Sequence, residues 1–228
     1  MLAADLALKI KSVVSRASRK ASLLDRLSAF VVAGTLGVTW WLYDRLPDPM
    51  PSHFGFSGVA DGWMPRPIAA WLLPLATVAF GVLFRLGQWL MPRQWRPGFR
   101  IAPMDAVVLV FVTMLCGLHV LILRASLDST PRLGGAIWVL GGAALIATGQ
   151  LMPRTPRNGL FGFRTKWTMA SDENWKRAQR VGGLAFTVSG VAMAVFGGLG
   201  FPTLALAALL LTIAVPLVWS WTVARLGS

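Results

Sequence analysis

Acidic chemistry is scarce in this chain: nine Asp and Glu among 228 residues, against 22 Lys and Arg. Two histidines, one tyrosine and one cysteine complete a short inventory of reactive side chains. The lone Cys116 excludes an intramolecular disulfide and a multi-cysteine metal site within one chain. So few acids leave little for paired-carboxylate catalysis or for the His/Glu set of a membrane hydrolase. Only Asp105 falls near a long apolar run, at an end where helix capping explains it. No enzymatic activity and no cofactor are therefore expected. Charge of either sign reaches only 14%, where a soluble domain would carry about 25%.

What is present is apolar length. Hydrophobic residues make up 55% of the chain, and mean hydropathy is +0.62. Six nearly uncharged windows, approximately 25–43, 67–90, 104–124, 133–152, 180–198 and 201–223, are long enough to cross a hydrocarbon core of about 30 Å as helices. Continuous runs of this kind exclude a β-barrel, whose short strands alternate apolar with polar. The expected fold is an all-α, polytopic membrane bundle of six spans in contact with the lipid bilayer.

A net charge of +13 raises the question of a nucleic-acid partner, and its distribution answers it. With both termini inside, 18 of the 22 basic residues fall on the inner side; only Arg45, Arg66, Arg124 and Arg132 fall outside, balanced by Asp44, Asp48, Asp61 and Asp128. That one-sidedness is the positive-inside pattern and not a nucleic-acid footprint, so no direct nucleic-acid partner is expected. The predicted location is the bacterial inner (cytoplasmic) membrane, multi-pass, N-in and C-in. The first run reads as a retained span and not as a cleaved signal peptide, because its basic region is long and no small-x-small site follows it. Residues 1–24 form a basic leader, read either as an amphipathic helix on the inner leaflet or as a disordered tether. The rest divides into a three-span region, 25–124, and a second three-span region, 125–228.

Two loops concentrate the polar chemistry. The outer one, 44–66, is expected to be ordered and non-helical: Pro47, Pro49 and Pro51 impose extended backbone, and Gly55, Gly58 and Gly62 permit turns. His53 has Asp44, Asp48 and Asp61 near it in sequence, but no spacing matches a metal signature, so a histidine hydrogen-bonded to loop backbone is favoured. His119 lies in the outer part of the third span, where an ionisable group is a functional candidate by default. A site built from His53, His119 and Asp61, binding a metal or ion, is the sharpest enzymatic or transport alternative; a His119 hydrogen-bonded within the bundle is the plainer reading. Trp40, Trp41 and Trp63 are expected at headgroup level.

The inner loop, 153–180, carries a turn at Asn158, Gly159 and Gly162 and a helix start at Ser171, Asp172 and Glu173, with acids where the helix dipole favours them. That helix is expected to run on into the fifth span. Pro74, Gly141-Gly142 and Pro216 are candidate kinks of the sort a transporter uses, and a weak signal. The small pairs Ala33/Gly37, Ala143/Ala147, Ala185/Ser189 and Gly190/Ala194 are expected to mark close helix packing, within the bundle or in a homo-oligomer.

The stretch Asn158, Gly162, Phe163, Arg164, Thr165, Trp167, Thr168, Ser171 and Trp175 resembles the signature of the SdpI family of bacterial membrane proteins. Leu46-Pro47, Pro51, His53-Phe54, Gly58, Asp61 and Trp63 are similar to the pattern of a small domain of unknown function commonly joined ahead of it. One departure stands at Gln179-Arg180, where family members often carry His-Arg. The resemblance implies immunity to a secreted antimicrobial peptide toxin, and signalling by holding a cytoplasmic regulator at the membrane. On that reading His53, Phe54, Gly58, Asp61 and Trp63 contact the toxin. Asn158, Gly162, Arg164, Thr165, Trp167, Thr168 and Trp175 contact the regulator.

Overall fold

The computed structural model describes residues 22–55, 57–90 and 102–226. Residues 1–21 of the basic leader and the arginines at 93, 96 and 100 lie outside those residues. Among the described residues six helices are long and apolar enough to cross a membrane: α1 (Leu23–Leu42), α2 (Arg66–Leu90), α3 (Ala102–Ser126), α4 (Ala136–Leu151), α5 (Asp172–Gly198) and α6 (Pro202–Leu226). Each matches one of the six apolar windows. At 16 residues α4 is short for a span, and a 3-10 turn at Met152–Arg154 lengthens it.

Local grammar sets the helix starts. Ser22 and Asp25 form a reciprocal capping box at α1: the Ser22 hydroxyl accepts from the Asp25 amide at 3.1 Å, and the Asp25 carboxylate accepts from the Ser22 amide at 3.0 Å. Ser171 caps α5 by accepting from the Asn174 amide at 3.1 Å, and α5 continues without a break from the inner loop through the membrane. Outward faces are apolar, with Leu75, Leu83, Leu184, Val188, Leu210 and Val218 among the exposed large side chains. Small and hydroxylated residues turn inward instead, as close packing without a hydrophobic driving force favours.

The closest-packed helices are α4 and α5, and glycine explains it. Gly135, Gly142 and Gly149 recur every seven residues and meet Gly197, Gly190 and Gly183, spaced the same way on the antiparallel partner. A Cβ on Gly142 would lie 2.5 Å from the Gly190 carbonyl oxygen, and one on Gly149 would lie 2.6 Å from that of Gly183. Backbone therefore rests on backbone, and no side chain fits between. Of the four small pairs expected to pack, Gly190/Ala194 does so at this seam, both residues lying against Gly142. Ala33 is exposed and Gly37 has no neighbour within 4 Å of a built Cβ, so that pair faces outward from the chain. Gly142→Val is expected to part the two helices and to cost about 2 kcal/mol or more, since overpacked cores lose roughly 1–3. Thermal unfolding in detergent checks it; an unchanged melting temperature would mean the seam tolerates side chains.

Between α1 and α2 the outer loop is not irregular throughout. It forms a hairpin of β1 (Met50–Phe54) and β2 (Ala60–Met64), paired Met50 to Met64, Pro51 to Trp63, His53 to Gly62 and Phe54 to Ala60, with irregular register around His53. Met50 and Pro51 are buried, and Met50 packs with Leu46, Ala70 and Leu123. The hairpin is also tied to the α3–α4 connection: the Ala60 amide donates to the Pro131 carbonyl at 3.0 Å, and the Leu133 amide to that of Gly58 at 2.9 Å. It thus spans the junction between the first three helices and the last three.

Candidate functional sites at the two membrane faces

On the outer face the hairpin brings His53 and Asp61 together. His53 Nδ1 is 2.5 Å from Asp61 Oδ1, with the side chains 74% and 53% exposed, so the pair is a surface feature and adds little to stability. His53 therefore bonds a carboxylate, where the sequence favoured a backbone partner. Two glycines make room for it: a Cβ at Gly62 would lie 2.9 Å from the His53 Cβ, and one at Gly55 2.8 Å from Asp61 Oδ2. Gly58 turns the chain at φ +77°. His53, Phe54, Gly55 and Gly58 then face Leu133, Ile137 and Trp138 across a cavity of about 360 Å³. Trp63 stands exposed on β2, and Trp40 and Trp41 are exposed at the end of α1.

His119 is not part of this group. It is buried between α3 and α1, where its Nε2 lies 2.8 Å from the Thr39 hydroxyl. Thr39 already donates its single proton to the Thr35 carbonyl at 2.8 Å, so it must accept from His119, which assigns the imidazole proton to Nε2. Among the described residues no three His, Cys, Asp or Glu side chains gather as metal ligands would. The His53/His119/Asp61 constellation is not assembled, because the hairpin stands outside the bundle while His119 is spent on a helix–helix hydrogen bond.

Asp105 does more than its place in the first turn of α3 suggests. It is one arm of a cluster in which Arg85 of α2 pairs with Asp25 of α1 and, at 2.5 Å, with Asp105 of α3. Arg85 also donates to Gln88 at 3.0 Å. Three helices are joined at the basic end of the bundle by one guanidinium.

The inner loop is held by a dense set of internal bonds. Asn158 is fully buried; its Oδ1 accepts from the amides of Leu160 and Phe161, both at 2.8 Å, and its Nδ2 donates to the carbonyls of Pro156 and Phe161. Gly162 follows at φ +112°, with the Gln179 side chain 2.6 Å from where a Cβ would stand. Gln179 then treats Phe163 as a neighbouring strand would: its Oε1 accepts from the Phe163 amide at 3.2 Å and its Nε2 donates to the Phe163 carbonyl at 3.1 Å. A single amide supplies both donor and acceptor at the position where the resemblance leads one to expect histidine.

Thr165 and Thr168 close the next turn reciprocally, each backbone amide donating to the other's hydroxyl at 2.8 and 3.2 Å. Trp175 is 1% exposed, and its indole N–H donates to the Thr155 carbonyl at 2.7 Å. The loop is seated on α6 by Trp167 against Trp219, ring centroids 5.5 Å apart, and by Thr165 against Ser220. Leu160 reaches across to α2, within 3.2 Å of where a Cβ on Gly87 would lie. Asn158, Thr168 and Trp175 are thus wholly internal. Arg164, which donates to the Gly159 carbonyl, and Lys166 are the exposed members of the motif, with Trp167 half-buried beside them. Gln179, Gly55 and Gly62 are the positions whose roles appear only once the chain is folded.

No curated protein and no solved structure matches the chain. Two family models do, in the order and on the loops just described. Residues 30–78, which take in the outer hairpin, match the Domain of unknown function (DUF1648). Residues 154–220, from the inner loop through most of α6, match the SdpI/YfhL protein family. The chain is thus a multi-pass integral membrane protein that carries that domain of unknown function ahead of an SdpI/YfhL segment.

Proposed function

We propose that this protein protects a bacterium from a secreted antimicrobial peptide toxin, acting without catalysis in the inner membrane with both termini inside. The one-sided distribution of basic residues supports that orientation. The observation that carries the reading is the outward cavity of about 360 Å³ shared by the hairpin and the start of α4. His53, held by Asp61, lines it with Phe54 and Trp138, and the group supplies polar and aromatic surface where a peptide would arrive from outside. A cytoplasmic regulator would meet the opposite face through Arg164, Lys166 and Trp167, with Asn158, Thr168 and Trp175 holding those side chains in place.

The test is membrane potential in toxin-sensitive cells challenged with an Sdp-type killing peptide, comparing wild type, His53→Ala and Arg164→Ala at matched membrane levels. Protection by wild type and Arg164→Ala that is lost in His53→Ala is the expected result. Cells left unprotected by wild type would remove immunity to that peptide and leave signalling as the role to test. Separately, Gly62→Ala is expected to push His53 off Asp61, since the new Cβ would stand 2.9 Å from that of His53. Its protection should fall with that of His53→Ala at unchanged thermal stability.

A further inference from the structure

The seam between α4 and α5 has two sides. Over one of them lies the inner loop, with Phe163 against Gly182 and edge-on to Phe186 at 6.0 Å. The other is marked by Gln150, which is exposed and whose Nε2 donates to the Thr187 hydroxyl at 3.1 Å. Toward the basic end of the bundle that same side carries cations. Arg154 donates to the Gln150 carbonyl, which holds its guanidinium beside the Gln150–Thr187 bond. Arg180 stands seven residues, about two turns, before Thr187 and so on the same face of α5, and Lys176 is one turn further on. The glycine register sets their heights. Gly149 is level with Gly183, so Arg154, five residues beyond it on α4, is level with Ala178, and its Cα and that of Arg180 differ by about 3 Å along the axes at 1.5 Å per residue.

Charge and the face above then select an occupant. Neighbouring basic side chains are already paired, Arg157 with Asp172 and Arg177 with Glu173. Arg154, Lys176 and Arg180 are exposed and pair with no carboxylate among the described residues. Deeper in the membrane the Arg180 face continues as Leu184, Val188 and Val191, all exposed, with Val139 exposed on α4. Two guanidiniums of nearly equal height at the foot of an apolar stripe suit a phosphate with an acyl chain attached. The second amide proton of Gln150, between those levels, suits an ester carbonyl. A zwitterionic headgroup would bring its own ammonium against Lys176. We infer that this side of the seam binds one anionic phospholipid from the leaflet on the basic side, its phosphate shared by Arg154 and Arg180.

The experiment is native mass spectrometry of the full chain in mild detergent with phosphatidylglycerol or phosphatidylethanolamine of matched acyl chains. One retained phosphatidylglycerol per chain is expected, preferred by about fivefold or more, the size of one basic residue at an anionic membrane surface. Arg154→Gln with Arg180→Gln should erase that preference, and Arg154→Lys with Arg180→Lys should keep it. Both side chains are exposed, so the melting temperature in lipid-free detergent should not move. Arg164→Gln with Lys166→Gln removes equal charge from the inner loop and should leave retention intact. Excess inorganic phosphate should not displace the lipid, because its acyl chain lies along Leu184 and Val188. Three results would each overturn the assignment: equal retention of the two lipids by wild type, loss of the preference in both Gln pairs, which marks a response to net charge alone, or displacement by phosphate, which marks a site for free anions.

Discussion

Trp175→Ala is expected to cost about 3–5 kcal/mol, the range for removing a large aromatic from a closed core. The ring is the largest wholly buried side chain of the described residues and is 1% exposed. Its loss also leaves the Thr155 carbonyl, now bonded at 2.7 Å, without its donor. Trp175→Phe separates the two contributions: packing is mostly kept, and the unsatisfied carbonyl alone should cost about 1–3 kcal/mol. Thermal unfolding in detergent reads both variants. Limited proteolysis should further locate the damage between residues 153 and 171, because the indole pins the start of the inner loop to α5. If Trp175→Ala melts like wild type, the loop is held by Asn158 and Gln179 alone and the indole is dispensable.

Arg85→Ala carries the second large effect. Removing the guanidinium takes from Asp25 and the buried Asp105 the cation they share, and breaking a buried pair typically costs about 3–5 kcal/mol. Because the Arg85 side chain is 31% exposed, water screens part of that penalty, and about 2–3 kcal/mol is the expected loss. The distinguishing signature is repair: adding Asp105→Asn to Arg85→Ala should recover much of the lost stability, since only one carboxylate then remains. A double variant less stable than Arg85→Ala would show that Asp105 stabilises by hydrogen bonding and not through its pairing with Arg85.

Sequence reached the six spans and the α5 cap because both are local signals: uninterrupted apolar length, and Ser171 followed by two acids. The hairpin was beyond it for a physical reason. Met50 and Pro51 are buried together with no alternation of apolar and polar, and the second edge of the hairpin is paired by Pro131 and Leu133, some seventy residues away in sequence. At Asp105 the sequence shows only a place near the helix start, because Asp25 and Arg85 are brought to it by the packing of three helices. The glycine seam is written in the sequence as a spacing of seven, and a spacing of four does not find it: one such small pair, Ala33/Gly37, faces away from the bundle. At the inner loop the motif itself was visible, but its division of labour was not. Which of Asn158, Arg164, Thr168 and Trp175 turns inward depends on the turn that Asn158 ties and Gly162 permits.

The seam of α4 and α5 has a mechanical consequence. Its glycines repeat every seven residues on both helices, so the next equivalent register lies about 10 Å along the axis. Any smaller slide would drive Ile146 or Met193 into a space that excludes a methyl group. The two helices can therefore tilt as one lever but cannot ratchet past each other. Trp138 and Ile137 at the outer cavity stand at one end of that lever, and Pro153 and Phe163, packed against Gly183 and Gly182, stand at the other. A message crossing this half of the protein has to travel as a change of angle.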